Sequence, residues 1–165
     1  GSLTVGAYQN VEGGILKQVR EDFSRADVKM YIADDLNLAR WKKLVWNIPY
    51  NGLTVALETT TDKLMAQPDS RNLVRELMAE TVLGAKACGA DIPSSFIESM
   101  LQSTDEMTPY APSMKLDWDN RRRMEIDAIY TNPIKSAKEN GFYMKKVEML
   151  EQQLRFKEWT VEKKQ

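Results

Sequence analysis

The hydrophobic pattern of the chain changes its period near residue 34, and this change constrains the fold more than any other feature. Before it, Leu3–Tyr8 and Val28–Ala33 alternate apolar and polar residues, which is the period of a β-strand. Between them, apolar residues recur every four positions over Ile15–Phe23, as on one face of an amphipathic helix. Residues 1–33 therefore predict a single strand–helix–strand unit.

After this point the apolar residues follow helical spacing almost throughout, interrupted by an extended loop at Thr104–Pro112. Leu73 and Trp159 are predicted to lie on buried helix faces. Residues 34–165 thus predict a helical domain, and the chain as a whole is expected to be mainly α. Asp34 or Asp35 is predicted to cap the first of these helices, and a short helix is predicted over Thr61–Ala66. Asp69 or Ser70 caps a helix that ends at Gly89, and Ser94 or Ser95 starts the next. The last two predicted helices cover Arg122–Asn140, where Gly141 stops the helix, and Met144–Trp159.

Two strands do not form a stable sheet alone, so the first unit is interpreted as the tail of a larger α/β domain. The open edges of such a pair predict that two copies associate, which makes a homodimer possible. Gly1-Ser2 resembles a cloning scar and is left out of the fold argument.

Composition excludes several classes of function. The 165 residues contain no histidine, which excludes His-based triads and most catalytic zinc sites, and no metal site is predicted. A formal net charge of −1 gives no reason to expect nucleic acid or an anionic membrane as a partner. With a single cysteine, Cys88, and no long apolar run, a reducing cytoplasmic setting is the expectation.

Three polar residues line one face of the helix predicted after Asp35. Lys43, Asn47 and Asn51 are spaced by four, and each such step drifts only about 40° around the helix. An apolar stripe from Leu38 to Ile48 occupies the other side. The row points away from the core of its own domain and faces either water or a substrate.

Four motifs occur in an order that resembles the C-terminal substrate domain of the ketopantoate reductase family. They are W-x-K-L-x-x-N-x-x-x-N at Trp41–Asn51, an E-x-x-x-x-A-x-x-x-G helix end at Glu80–Gly89, S-M-x-x-D at Ser113–Asp117 and E-I-D at Glu125–Asp127. Each motif alone is weak, but their order and spacing make the resemblance specific. It runs over about Leu3–Leu154.

The resemblance implies a helical domain of the 6-phosphogluconate-dehydrogenase-like type, preceded by the end of a Rossmann domain. It implies NADPH-dependent reduction of a 2-oxo acid, with Lys43 as proton donor. Glu125 would support this lysine and contribute to the cofactor site. Asn47, Asn51 and Ser113 would bind the small-molecule substrate.

Other interpretations of the same residues remain open at the level of sequence. The polar row can be merely solvated, Asn51 can cap the helix near its proline, and Ser113 can be a helix N-cap. Glu125 can form an ordinary helical ion pair with Arg121 or Arg122. The corresponding functional alternatives are a related reductase of another 2-oxo or 3-oxo acid and a non-catalytic helical interaction module.

Some positions depart from the family pattern. Tyr110 stands where the pantoate-forming enzymes carry an asparagine, Thr131 replaces a glycine, and Met144 lies where a threonine–proline pair is expected. These departures leave the exact substrate open. The chain also contains no Gly-x-Gly-x-x-Gly sequence, so the main cofactor site is expected to lie outside it, and the chain alone is expected to be inactive.

Overall fold

The computed structural model describes residues 2–8 and 13–162. The chain divides into two compact units, residues 1–40 and 41–165. The division falls after residue 40, whereas the sequence predicts a domain boundary after residue 33. Gly1, one half of the predicted cloning scar, lies outside the described residues.

The first unit is the strand–helix–strand motif that its alternating residues predict. Strand β1 is Ser2–Gly6, helix α1 is Gly13–Arg25 and strand β2 is Lys29–Ala33. The strands are parallel, with Leu3 opposite Met30, because the helical crossover returns the chain to the same end of the sheet. Within the described residues each strand pairs only with the other, so both retain an open edge.

Helix α2 covers Leu36–Ala56 and begins after a predicted capping residue. Asp35 Oδ1 accepts a hydrogen bond from the Leu38 backbone N–H at 3.0 Å, which satisfies one of the free donors at the helix N-terminus. The helix continues through Pro49. Every residue from Ile48 to Val55 is buried, so the second half of α2 forms the centre of the second unit.

Seven further helical segments follow α2 in the described part of the chain. The mainly α class with a short strand–helix–strand segment before it is therefore confirmed. The segments are α3 (Thr61–Ala66), α4 (Pro68–Ala87), α5 (Ser95–Asp105), α6 (Ser113–Asp119), a π-helix (Asp127–Thr131), α7 (Asn132–Glu139) and α8 (Lys145–Glu162).

The predicted start of α4 is wrong. Neither Asp69 nor Ser70 caps this helix, because Pro68 is already its first residue, where a missing N–H costs no helical hydrogen bond. Gln67 is the cap, and its Oε1 accepts a hydrogen bond from the Ser70 N–H at 2.6 Å.

Two side chains predicted to be buried are exposed. Leu73 is 37% exposed and Trp159 is 48% exposed. The buried face of α4 passes through Val74, Leu77 and Met78, one position on from Leu73. Where adjacent residues are both apolar, periodicity does not decide which of them faces the core.

The helix predicted over residues 122–140 is wrong at its start. Arg121 adopts a left-handed backbone conformation with φ 55°, and residues 122–125 have no regular structure. The π-helix comes next and α7 follows it directly. Pro133, in the first turn of α7, has no N–H for the carbonyl four residues earlier, so the α-helical ladder is interrupted where the wider π turn ends. Gly141, predicted to stop this helix, follows α7 with φ 82°.

Candidate functional site

Helix α2 carries the predicted polar row from the surface into the core. Lys43 is exposed, Asn47 is half-buried and Asn51 is only 2% exposed. Trp41 and Val45, on the apolar side of the helix, are buried. The prediction that the row points away from the core therefore holds for Lys43 and is wrong for Asn51, because the second half of α2 is buried on all sides. The row joins a solvent-accessible ammonium to a buried amide.

A hydrogen bond connects the inner end of this row to the S-M-x-x-D motif at Ser113–Asp117. Asn51 Oδ1 accepts a hydrogen bond from the Met114 backbone N–H at 3.0 Å. Met114 is buried, whereas Ser113, the first residue of α6, is exposed. Pro112 occupies the N-cap position of α6, so the interpretation of Ser113 as N-cap is wrong. Two segments 63 residues apart in sequence thus meet at Asn51.

Asn51→Ala is expected to lower the free energy of unfolding by about 1–2 kcal/mol, because the Met114 N–H at a buried helix start loses its acceptor. Urea denaturation of the chain measures the effect. Asn47→Ala, on the half-buried part of the same row, is the matched control and should stay within about 0.5 kcal/mol of the parent. Equal stability of both variants would show that the Asn51 bond does not stabilise the fold.

The loop before α6 contacts α2 and α3 through Tyr110. Thr61 Oγ1 donates to the Tyr110 carbonyl at 3.1 Å and lies 3.3 Å from the Tyr110 N–H. The Tyr110 ring lies 6.3 Å, between centroids, from that of Trp46. Trp46 in turn donates from Nε1 to Thr104 Oγ1 at 3.0 Å. Tyr110, one of the residues that depart from the family pattern, therefore packs beside Trp46, which lies next to the polar row on α2.

Glu125 ends the irregular segment between α6 and the π-helix, and its side chain is exposed. The segment begins with an ion pair in which Arg122 Nε and Nη2 lie 2.9 and 2.8 Å from Asp117 Oδ1. The alternative of a helical ion pair between Glu125 and Arg121 or Arg122 is wrong, because these residues do not lie on one helix. Arg122 forms its ion pair with Asp117 instead.

A polar network fixes the π-helix to α8. Arg155 Nη2 donates to Asp127 Oδ1 and to Thr131 Oγ1, both at 2.7 Å. Thr131 donates to Glu151 Oε1 at 2.5 Å, and Glu151 also accepts from Arg155 Nε at 3.0 Å. The hydrogen bond from Arg155 holds the pKa of Asp127 below its ordinary value. Thr131, the residue that replaces the family glycine, is thus part of this network.

The E-x-x-x-x-A-x-x-x-G motif at Glu80–Gly89 has a structural use at the start of α8. Glu80 Oε2 accepts a hydrogen bond from the Val147 N–H, in the first turn of α8, at 2.8 Å. At Gly84 an added Cβ would lie 2.8 Å from Met144 Sδ, so the glycine makes room for this methionine. The departure at Met144 is therefore accommodated by packing against α4.

The structure thus joins Asn51 to the residue after Ser113, while Lys43 and Glu125 are both exposed. Among residues 2–8 and 13–162, no group of three or more His, Cys, Asp and Glu side chains is placed to hold a metal ion. In the same part of the chain, none of the helices is both long and apolar enough to cross a membrane.

Comparison with known proteins assigns the family. Residues 35–158 match the model described as "Ketopantoate reductase PanE/ApbA C terminal". This match covers well over half of the sequence, and the chain belongs to the ketopantoate reductase family. The resemblance deduced from the four motifs is confirmed.

Individual relatives agree with this assignment. The 2-dehydropantoate 2-reductase of Nostoc sp. is 44% identical over 161 residues, which are 94% of this chain and 50% of that protein. The crystal structure of the Geobacter metallireducens 2-dehydropantoate 2-reductase superposes with a TM-score of 0.89 at 38% identity, over 92% of this chain and 51% of that one. The chain thus spans about half the length of these relatives.

A more distant structure shares the fold. D-mandelate dehydrogenase, solved with NADH and anilino(oxo)acetate, superposes with a TM-score of 0.89 at 20% identity. The superposition covers 98% of this chain and 69% of that one. At this level of identity the likeness establishes the fold alone.

Proposed function

We propose that the chain is the C-terminal domain of an NADPH-dependent 2-oxo acid reductase, specifically a 2-dehydropantoate 2-reductase that forms pantoate for pantothenate biosynthesis. The observation that carries the proposal is the hydrogen bond from Met114 to Asn51, which joins the lysine–asparagine row to the serine motif. Family membership and the Nostoc relative support the reaction class.

Lys43 is the proposed proton donor. Reduction of a ketone leaves an alkoxide, and an ammonium group near that oxygen both stabilises the developing charge and supplies the proton. Its exposure at the outer end of the row leaves it free to meet a substrate. Glu125 is proposed to support Lys43 and to contact the cofactor when both ligands are in place.

The substrate is proposed to lie along the row. The Asn47 amide and the Ser113 hydroxyl offer uncharged donors and acceptors for the carboxylate and oxygen groups of a 2-oxo acid. Because Asn51 Oδ1 is bonded to the Met114 N–H, this residue would contact the substrate through its Nδ2 donor. Asn51 then has two functions, one in binding and one in positioning α6.

A reduced nicotinamide cofactor supplies the hydride when it is bound. This chain lacks the glycine-rich turn that holds a pyrophosphate at a helix N-terminus, so the main cofactor contacts are proposed to come from a nucleotide-binding domain outside it. The open edges of β1 and β2 are consistent with a larger sheet in that domain and also with a homodimer.

A substrate screen on the full-length enzyme tests the proposal. With NADPH or NADH as reductant, ketopantoate should give the highest kcat/KM in a panel of 2-oxo and 3-oxo acids. A higher kcat/KM for another acid would favour a related reductase with a different substrate. Tyr110, which stands where pantoate-forming enzymes carry an asparagine and lies beside Trp46, is the feature that supports this alternative. No turnover with any member would favour a non-catalytic module.

The isolated 165-residue chain is expected to show no reductase activity and to bind NADPH weakly or not at all. The physical reason is the missing pyrophosphate site. Titration calorimetry with NADPH measures this directly. Micromolar binding to the isolated chain would contradict the proposal that the main cofactor contacts come from a domain outside it.

A further inference from the structure

The segment that carries Glu125 is anchored from the neighbouring helix α8. Residues 122–125 have no regular structure, yet Met124 is 4% exposed and Ile126 is 1% exposed. Glu125, between these two buried side chains, is exposed. The alternation shows that the segment is held in one orientation, with a single acidic side chain turned outward.

One hydrogen bond fixes the backbone immediately before Glu125. The Met124 N–H donates to Glu158 Oε1 at 2.9 Å. Glu158 lies on α8, 34 residues further along the chain, and is half-buried. Because the acceptor is a carboxylate, this bond is stronger than one between neutral groups.

The other anchors of the segment act at its ends. Arg122 is paired with Asp117 on the α6 side. On the π-helix side Arg155 holds Asp127, and the Ile129 N–H donates to the Glu125 carbonyl at 3.1 Å. Between these two ends, the Met124 N–H forms its hydrogen bond to α8 through Glu158.

We propose that Glu158 is a positioning residue for Glu125. It touches neither substrate nor cofactor and acts by holding the Met124 peptide, which sets the direction of the Glu125 carboxylate. This inference rests on the proposed function of Glu125. A carboxylate displaced by about 1 Å from its working position can cost up to roughly a hundredfold in rate.

The test uses the full-length enzyme and four variants. Glu158→Ala should lower kcat roughly tenfold or more with a smaller change in KM, because substrate binding depends on other residues. Glu158→Gln keeps an acceptor oxygen and should restore most of kcat. In a Glu125→Gln background, Glu158→Ala should cause no further loss, since both changes act through one carboxylate.

Amide hydrogen exchange supplies a readout that does not depend on activity. The Met124 N–H should exchange faster in Glu158→Ala than in the parent or in Glu158→Gln. If Glu158→Ala does not fold, Glu158→Asp replaces it in the test. This variant draws the carboxylate back by one methylene, so both kcat and the protection of the Met124 N–H from exchange should fall, as expected for Glu158→Ala.

Several results would overturn the inference. Additive losses in the double variant, or unchanged Met124 exchange in Glu158→Ala, would remove the positioning role alone. The same holds if Glu125→Gln is impaired while Glu158→Ala is fully active. A Glu125→Gln enzyme with normal kcat would remove the proposed role of Glu125 and this inference with it.

Discussion

Lys43→Ala in the full-length enzyme is expected to lower kcat by about 10²–10⁴-fold, the usual effect of removing a positioned proton donor. The side chain is exposed on α2 and lies opposite the buried side of that helix. Its truncation should therefore leave the fold and the affinity for NADPH intact. Steady-state kinetics, with cofactor binding measured by fluorescence or calorimetry, separate these effects.

Lys42→Ala is the control for this experiment. Lys42 is half-buried, and its Nζ lies 5.7 Å from the centre of the Phe96 ring, on a different side of α2 from the polar row. A cation over an aromatic ring at a partly exposed site contributes only about 0.5–1 kcal/mol, so the variant should keep nearly normal turnover. Near-normal kcat in Lys43→Ala, or an equal loss in both variants, would refute the assignment of Lys43 as proton donor.

Local sequence predicted those elements whose signals are themselves local. The alternation at residues 3–8 and 28–33 predicts β1 and β2, and the helix predicted over Thr61–Ala66 has the observed bounds of α3. Asp35 was predicted as one of two possible caps and is the observed one. In each case the residues that decide the structure lie within one or two turns of it.

Residues 122–125 show where this approach fails. Arg122-Arg-Met-Glu125 contains no glycine or proline, and its residues are compatible with a helix, so the local sequence predicts a helix here. A distant partner decides otherwise, because Glu158 on α8 accepts from the Met124 N–H. The pair between Arg122 and Asp117, which are five residues apart, adds a second contact outside helical geometry. A tertiary contact 34 residues away leaves no mark in the local pattern.

For the candidate site, the sequence predicts which residues belong to it but not how they are buried or bonded. The resemblance named Lys43, Asn47, Asn51, Ser113 and Glu125, and spacing placed the first three on one helix face. Neither source indicated that Asn51 is buried and bonded to the residue after Ser113. Their roles in catalysis and binding remain predictions for the experiments above.

Gly52→Ala is expected to destabilise the second unit by roughly 3–4 kcal/mol. A Cβ at this position would lie 2.5 Å from Leu150 Cδ2 and 2.6 Å from Tyr130 Oη. Tyr130 is fully buried and donates to the Ile48 carbonyl at 2.8 Å, so its displacement would also break a buried hydrogen bond. The expected value combines the cost of overpacking with that of the lost bond, and urea denaturation measures it.

Two further variants identify the cause of this loss. Gly84→Ala should cost only about 1 kcal/mol, because the nearest atom, 2.8 Å away, belongs to the flexible Met144 side chain. Tyr130→Phe removes the hydroxyl that meets the new Cβ, so Gly52→Ala should cost less in that background than in the parent. If the two substitutions are instead additive, Tyr130 does not contribute to the strain, and contact with Leu150 alone accounts for the requirement for glycine at the centre of α2.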